Sequence, residues 1–381
     1  MMMTNKKIVF LLLLVICTIL LKQSASLATQ GENTPPQNER IEVRLHFSCY
    51  HCHIDWNQLT DLKNNPILNA CIAGATFEEL KDLNVDDLDT RLEKLQEGNV
   101  IKQTNGRYFL AFPAIVGGKR AKLQQIIEQT VAQLMPTAKD AVKQLRHHLN
   151  QQPEMLFHVL WSIVMDSVAW QTVQTEFNSQ FNKDKVSLEG VGWLMYPSHP
   201  YDCGTNTYND LQIGTVKITW SMTTALTPSA PWVLHETIKK YDIQLMQSLT
   251  TGQPIKNQQV RQDLAQYGLV DDIGQLTAYI IDPNSQAAQT YWKLGLEFGR
   301  KAMTHLDIQK IADILDVTLK QAVVIAYHEL CYEILKQLVE KGTIRVPGIL
   351  LNPQAGTSQT HHLISIIERV NDPNSLKYPQ Q

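Results

Sequence analysis

The chain has 381 residues, 44% of them hydrophobic and 19% charged, with a formal net charge of −3. That length and apolar content exclude wholesale disorder and provide core for two or three domains. The near-neutral balance gives no global electrostatic pull toward nucleic acid or an anionic membrane.

Residues 1–28 read as a leader. Lys6 and Lys7 are its positive start, Ile8 to Leu21 is almost wholly apolar, and Ser26-Leu27-Ala28 suits cleavage before Thr29. The apolar run falls short of the roughly 20 residues a bilayer span needs. A cleaved signal peptide is therefore the expected form, with an uncleaved N-terminal anchor as the alternative. Either places the body outside the cytoplasm, periplasmic or secreted. Thr29 to Arg40 is polar, holds Pro35-Pro36 and reads as a linker; Ile41 to Phe47 then alternates apolar and polar as a half-buried strand does.

Cys49-Tyr50-His51-Cys52-His53 follows at once. Two thiols at this spacing can bond the vinyl groups of a haem, and the imidazole directly after them can be its proximal iron ligand. The pentapeptide resembles the attachment motif of c-type cytochromes. That resemblance implies covalent haem c on Cys49 and Cys52, with His53 on the metal, and a role in electron transfer or haem sensing with a redox or envelope protein as partner. Ile54 stands where that family usually has Gly, and the preceding stretch is strand-like rather than helical. Three other readings stay open. A strand followed by CxxC is similar to thioredoxin-like dithiol sites. His46, Cys49, His51, Cys52 and His53 form a soft-ligand cluster suited to zinc or copper. The plain alternative is a structural disulfide or two free thiols in a non-catalytic assembly protein. A distal ligand would come from His199, His235, His328, Met195 or Met246.

Three short helical patterns come next, at Asn65 to Ile72, from Thr76, and from Val85 to Gly98. Thr76 and Glu79 have capping-box spacing, and Leu88, Leu92 and Leu95 form one stripe. Val100 to Gln103 and Arg107 to Leu110 are strand-like around Asn105-Gly106, a hairpin turn signal. Three helices and a hairpin between Asn57 and Pro113 resemble a winged-helix domain. The expected recognition helix opens on Asp86, Asp87 and Asp89, which would repel phosphate, so a protein partner is expected and nucleic acid is not.

Lys119 to Asn150 reads as helix interrupted by Pro136, and Glu154 to Phe177 as an apolar helix centred on Trp161 and Trp170. Gly190 to Tyr196 and Ile213 to Trp220 read as strands linked by a loop from Pro197 to Asn206. His199, Asp202 and Cys203 make the stretch from His199 to Tyr208 a second candidate site, though Pro, Gly and Asn there equally mark a surface turn. Trp232 to Leu249 reads as helix. Asp307 to Leu315, a turn at Asp316-Val317 and Thr318 to Lys341 resemble a helix-turn-helix, with Ile344 to Leu350 extended beyond Gly342. His328 is expected as a hydrogen-bonded core histidine. The pairs His147-His148 and His361-His362 should point to opposite faces and be solvated.

Cys17 lies in the leader, leaving five of six cysteines, an odd number that argues against a complete disulfide framework. Cys71 and Cys331 are expected as buried thiols and Cys203 as exposed. P-loop, GxGxxG, HExxH and GxSxG patterns are all missing, which disfavours enzymes of those mechanisms. The expected fold is α+β and mainly α, with winged-helix-like modules flanking a mixed middle. The division is a leader at 1–28, a linker and CxxCH segment at 29–56, a winged-helix-like domain at 57–116, a mixed middle domain at 117–300, a helix-turn-helix-like module at 301–352 and a tail at 353–381.

Overall fold

The computed structural model describes residues 45–48, 54–55, 58–59, 61–150, 152–181, 188, 191–195, 205–213, 216–223, 236–351 and 361–369. The protein is α+β and mainly α: helices carry most of the chain and three small sheets are attached to them.

The N-terminal unit runs α1 (Asn65–Ala73), β2 (Ala75–Thr76), α2 (Phe77–Lys81), α3 (Leu88–Glu97), β3 (Ile101–Thr104) and β4 (Arg107–Leu110), after a first strand β1 (Leu45–Ser48) that belongs to another sheet. Its sheet has the order β2-β4-β3. Thr76 and Glu79 close the expected capping box, satisfying amides that the first helical turn cannot pair itself. The hairpin turns through Asn105 (φ 52°) and Gly106 (φ 76°), where positive φ suits these two residues. Leu92 and Leu95 enter a core with Ile67, Leu68, Leu80 and Val100. The third helix starts at Leu88 rather than Val85. Asn84 and Asp87 both take left-handed backbone, which holds the chain out of the helix until then.

The main core is helical. The strand β5 (Ala114–Ile115) leads into α4 (Gly117–His148), which continues unbroken through Pro136. The expected interruption is absent because Pro136 is exposed, so the carbonyl it leaves unpaired faces solvent. The next helix is composite: α5 (Leu156–His158), a π-helix (Val159–Ala169) and α6 (Trp170–Phe181). It packs against α9 (Gln286–His305). Gly295 and Gly299 permit that approach, since a Cβ at Gly295 would lie 2.5 Å from the Val168 Cβ and one at Gly299 2.6 Å from the Ala169 carbonyl oxygen.

The helices α10 (Ile308–Leu315) and α11 (Leu319–Glu340) follow the predicted turn, with Asp316 left-handed and Thr318–Gln321 as a second capping box. However, α11 is buried on nearly all sides from Ala322 to Leu335, and one apolar cluster runs from Ile115 to Leu363. The boundary expected at 300/301 falls inside α9, so the helix pair is the centre of the shared core rather than an appended module. After Gly342, the expected extended stretch instead turns into a short helix, α12 (Gly348–Leu351).

The remaining sheets also depart from the sequence reading. The two strands expected to be linked neighbours, β6 (Val191–Met195) and β8 (Val216–Thr223), belong to different sheets. In the first, β6 pairs antiparallel with β1 and parallel with β5. In the second, the order is β7 (Thr205–Ile213), β8, β10 (His361–Arg369), β9 (Tyr279–Ile281). Thus Thr205 to Tyr208, expected as loop, is strand. One face of this sheet presents Ile218, Trp220, Met222, Ile364 and Ile366 to a second apolar cluster. That cluster also takes residues of α7 (Asp242–Thr251) and α8 (Gln258–Ala265). Among the described residues no helix is long and apolar enough to cross a membrane.

Candidate functional site

Cys49, Cys52 and His53 lie outside the described residues, as do His199, Asp202, Cys203 and His235. The described chain brackets the motif on both sides. Ser48 ends β1 opposite Val191 of β6, and the Asp55 amide donates to the Gly98 carbonyl at 2.8 Å. Of the other distal-ligand candidates, Met195 ends β6, while Met246 is half-buried against the second apolar cluster. Cys71 and Cys331 are buried free thiols, as expected. Burial pushes Cys71 up to about 12 and raises Cys331 as well, so both are inert at neutral pH.

His328 sits on α11, almost fully buried, and its Nδ1 donates to the Val324 carbonyl at 2.7 Å. A carbonyl only accepts, so Nδ1 carries a proton and Nε2 is the nitrogen facing Asp166, 3.6 Å from its Oδ1. Trp170, Trp193 and Tyr327 close around the imidazole with ring centroids 5.0, 5.6 and 5.6 Å away. The Trp193 indole donates to Glu329 Oε1 at 3.1 Å, and the Tyr327 hydroxyl to the Met165 carbonyl at 2.5 Å. This is the hydrogen-bonded core histidine the sequence suggested.

A second polar cluster lies between the composite helix and the other face of the β7-β8-β10 sheet. His158 is fully buried, with Nε2 2.9 Å from Ser221 Oγ. Ser221 Oγ donates to Ser162 Oγ at 2.5 Å and lies 3.2 Å from Thr207 Oγ1. The sheet register builds this layer: Thr207 stands opposite Ser221, Thr223 opposite His361, and Thr219 opposite Ser365. A hydroxyl beside an imidazole is the arrangement of a nucleophile and its base. Here burial, reinforced by His361 and His362, lowers His158 to about 3, and its Nδ1 has no orienting partner among the described residues. Such a weak base has little capacity to activate a serine at neutral pH. The cluster is a structural seam.

The solvated state expected for His361-His362 is overturned. The two do point to opposite faces of β10, but that strand runs inside the sheet between β8 and β9. His362 donates from Nε2 to the Tyr267 carbonyl at 2.8 Å and stacks on Trp220. Burial lowers it to about 4. His147 is exposed, whereas His148 is half-buried and 3.1 Å from Thr290 Oγ1.

Sequence reading passed over His158, Ser162, Asp166 and the hydroxyl face of β8. A signal existed. His158, Ser162 and Asp166 recur every fourth residue within an otherwise apolar run, and Thr219, Ser221 and Thr223 alternate with Ile218, Trp220 and Met222. Among the described residues no group of three or more His, Cys, Asp or Glu could hold a metal ion. A cleft of about 230 Å³ between the N-terminal unit and the helical core is lined by Lys102, Phe112, Lys119, Leu315 and Gln321; Lys119 Nζ donates across it to the Leu315 carbonyl. The chain matches no family model, no curated protein and no solved structure.

Proposed function

We propose that this is an exported protein that carries covalent haem c on Cys49 and Cys52, with His53 as the proximal ligand, for electron transfer or haem-based sensing with a redox or envelope protein partner. The spacing and order of those residues behind an export-type leader carry the reading. The anchoring of β1 to β6 and of Asp55 to Gly98 supports it, because a segment fixed at both ends can present a group to a partner. Bound haem would supply one-electron chemistry and an iron site. The residues around His328 hold that imidazole inside an aromatic box, so His328 serves the fold rather than the iron.

The test is expression of the full chain, leader included, with a cytochrome c maturation system, followed by haem-peroxidase staining of a denaturing gel. A stained band that disappears in Cys52→Ser is the expected result; a colourless parent band would overturn it. Thiol trapping of the same sample reports the dithiol alternative, in which Cys49 and Cys52 cycle between thiol and disulfide.

A second reading, a non-catalytic envelope interaction or assembly protein, is favoured by the N-terminal unit. Its element order α1-β2-α2-α3-β3-β4 and sheet order β2-β4-β3 support the winged-helix-like reading on which this proposal rests. Asp86, Asp87, Asp89 and Glu93 lie exposed at the start and along the outer side of α3. That charge suits a protein partner and opposes a phosphate backbone. Retention of duplex DNA by the full chain at low salt would overturn this second reading.

A further inference from the structure

We propose that the seam between the composite helix and the β7-β8-β10 sheet is an acid-sensitive latch, held shut by His158 and His361 as neutral imidazoles and released when they take up protons. The argument rests on hydrogen-bond geometry. The Nδ1 atoms of His158 and His361 are buried and, among the described residues, have no hydrogen-bond partner. A neutral ring tolerates this by leaving Nδ1 as a lone pair while Nε2 carries the proton, as the bond from His158 to Ser221, whose own proton goes to Ser162, requires. An added proton would convert each Nδ1 into an N–H with no acceptor among the described residues, at the 0% exposed His158 and the half-buried His361.

The surroundings do not compensate for that charge. From its own helix His158 faces Ser162, from β8 Ser221, and the charged influences on it are His361 and His362. On the opposite sheet face His362 meets the Tyr267 carbonyl, the Trp220 ring and the influence of His361. Glu154, one helical turn before His158, is the carboxylate that bears on His361. Protonated His158 and His361 would therefore repel each other, with the Glu154 carboxylate bearing on His361. The seam is also where the sheet and its second apolar cluster join the helical core, so opening there detaches one layer from another.

An opened seam lets each imidazole titrate in the ordinary histidine range, so each multiplies the opening constant about tenfold per pH unit below that range. Through His158 the opening constant should rise about 25-fold between pH 7 and pH 5, and further through His361. Hydrogen exchange read by mass spectrometry on the full chain, corrected for intrinsic exchange, measures it. The expected result is that rise in peptides from β8 and β10, with little change in peptides from α11, and the loss of most of it in His158→Gln. His361→Gln serves as a second variant, at the half-buried position, should His158→Gln fail to fold. An equal rise in α11 would mean global unfolding and overturn the latch; so would a pH response that the variants leave unchanged.

Discussion

Two buried histidines on one side of the helical core meet opposite conditions. His328 has an acceptor on each side of its ring, the Val324 carbonyl at Nδ1 and Asp166 facing Nε2. His158 has a serine hydroxyl at Nε2 and, among the described residues, no hydrogen-bond partner at Nδ1. Both are reached from one polar stripe of the composite helix, His158 and Ser162 toward the sheet and Asp166 toward α11. Burial alone thus does not define a histidine's role. What matters is whether the second nitrogen has somewhere to place a proton. The box around His328 is built for permanence and the seam around His158 is conditional.

The largest expected effect tests the permanence of the box. Trp193 is fully buried, and its indole is a donor to Glu329, itself 1% exposed. Trp193→Phe removes that donor from a buried carboxylate and leaves a void, which should cost about 3 kcal/mol in urea unfolding. A loss below about 1 kcal/mol for Trp193→Phe would put the box and the seam on the same footing.

The unequal visibility of these sites in the sequence has a physical cause. Local signals were legible: the Thr76 and Thr318 capping boxes, the Asn105-Gly106 turn and the buried thiols all follow from a few neighbouring residues. Strand partnership was not legible, because β6 pairs with β1, well over a hundred residues away, and β8 with β10 at similar range. His328 could be read as a core residue from its apolar helix, while His362 could not, since its burial depends on β10 lying between β8 and β9. The π-helix had no sequence mark of its own, and the two glycines that let a neighbour pack closely on it, Gly295 and Gly299, come from a distant helix. The site proposed from Cys49, Cys52 and His53 remains a reading of local spacing.

An intermediate effect sharpens the contrast through pH. The folded value of His158, about 3, lies below its ordinary 6.5, so the unfolded chain binds a proton that the folded chain refuses. Stability contributed by the neutral ring is full above about pH 6.5, falls by about 1.4 kcal/mol per pH unit below it, and stops falling near pH 3. His158→Leu should cost about 1 kcal/mol at pH 7 through the lost bond to Ser221. At pH 5 the parent has lost about 2 kcal/mol through this ring, so the variant should be the more stable of the two by about 1 kcal/mol. Urea unfolding at both pH values reads the crossing. Stability curves that keep the same order at pH 7 and pH 5 would remove the conditional character of the seam.

The smallest effect has the opposite sign. Ser365 lies on the seam face of β10 opposite Thr219, is 0% exposed, and its hydroxyl has no hydrogen-bond partner among the described residues. An orphan hydroxyl carries its desolvation penalty without a compensating bond, so Ser365→Ala should be neutral or stabilise the protein by up to about 1 kcal/mol. The same substitution at a satisfied buried serine would destabilise it by a similar amount. The sign of the shift in the unfolding midpoint therefore decides the matter without a precise magnitude. A destabilised Ser365→Ala protein would mean that the hydroxyl holds a buried water in solution. Such a water could also reach the imidazole nitrogens on that face, and the seam would then be satisfied in the way the His328 box is.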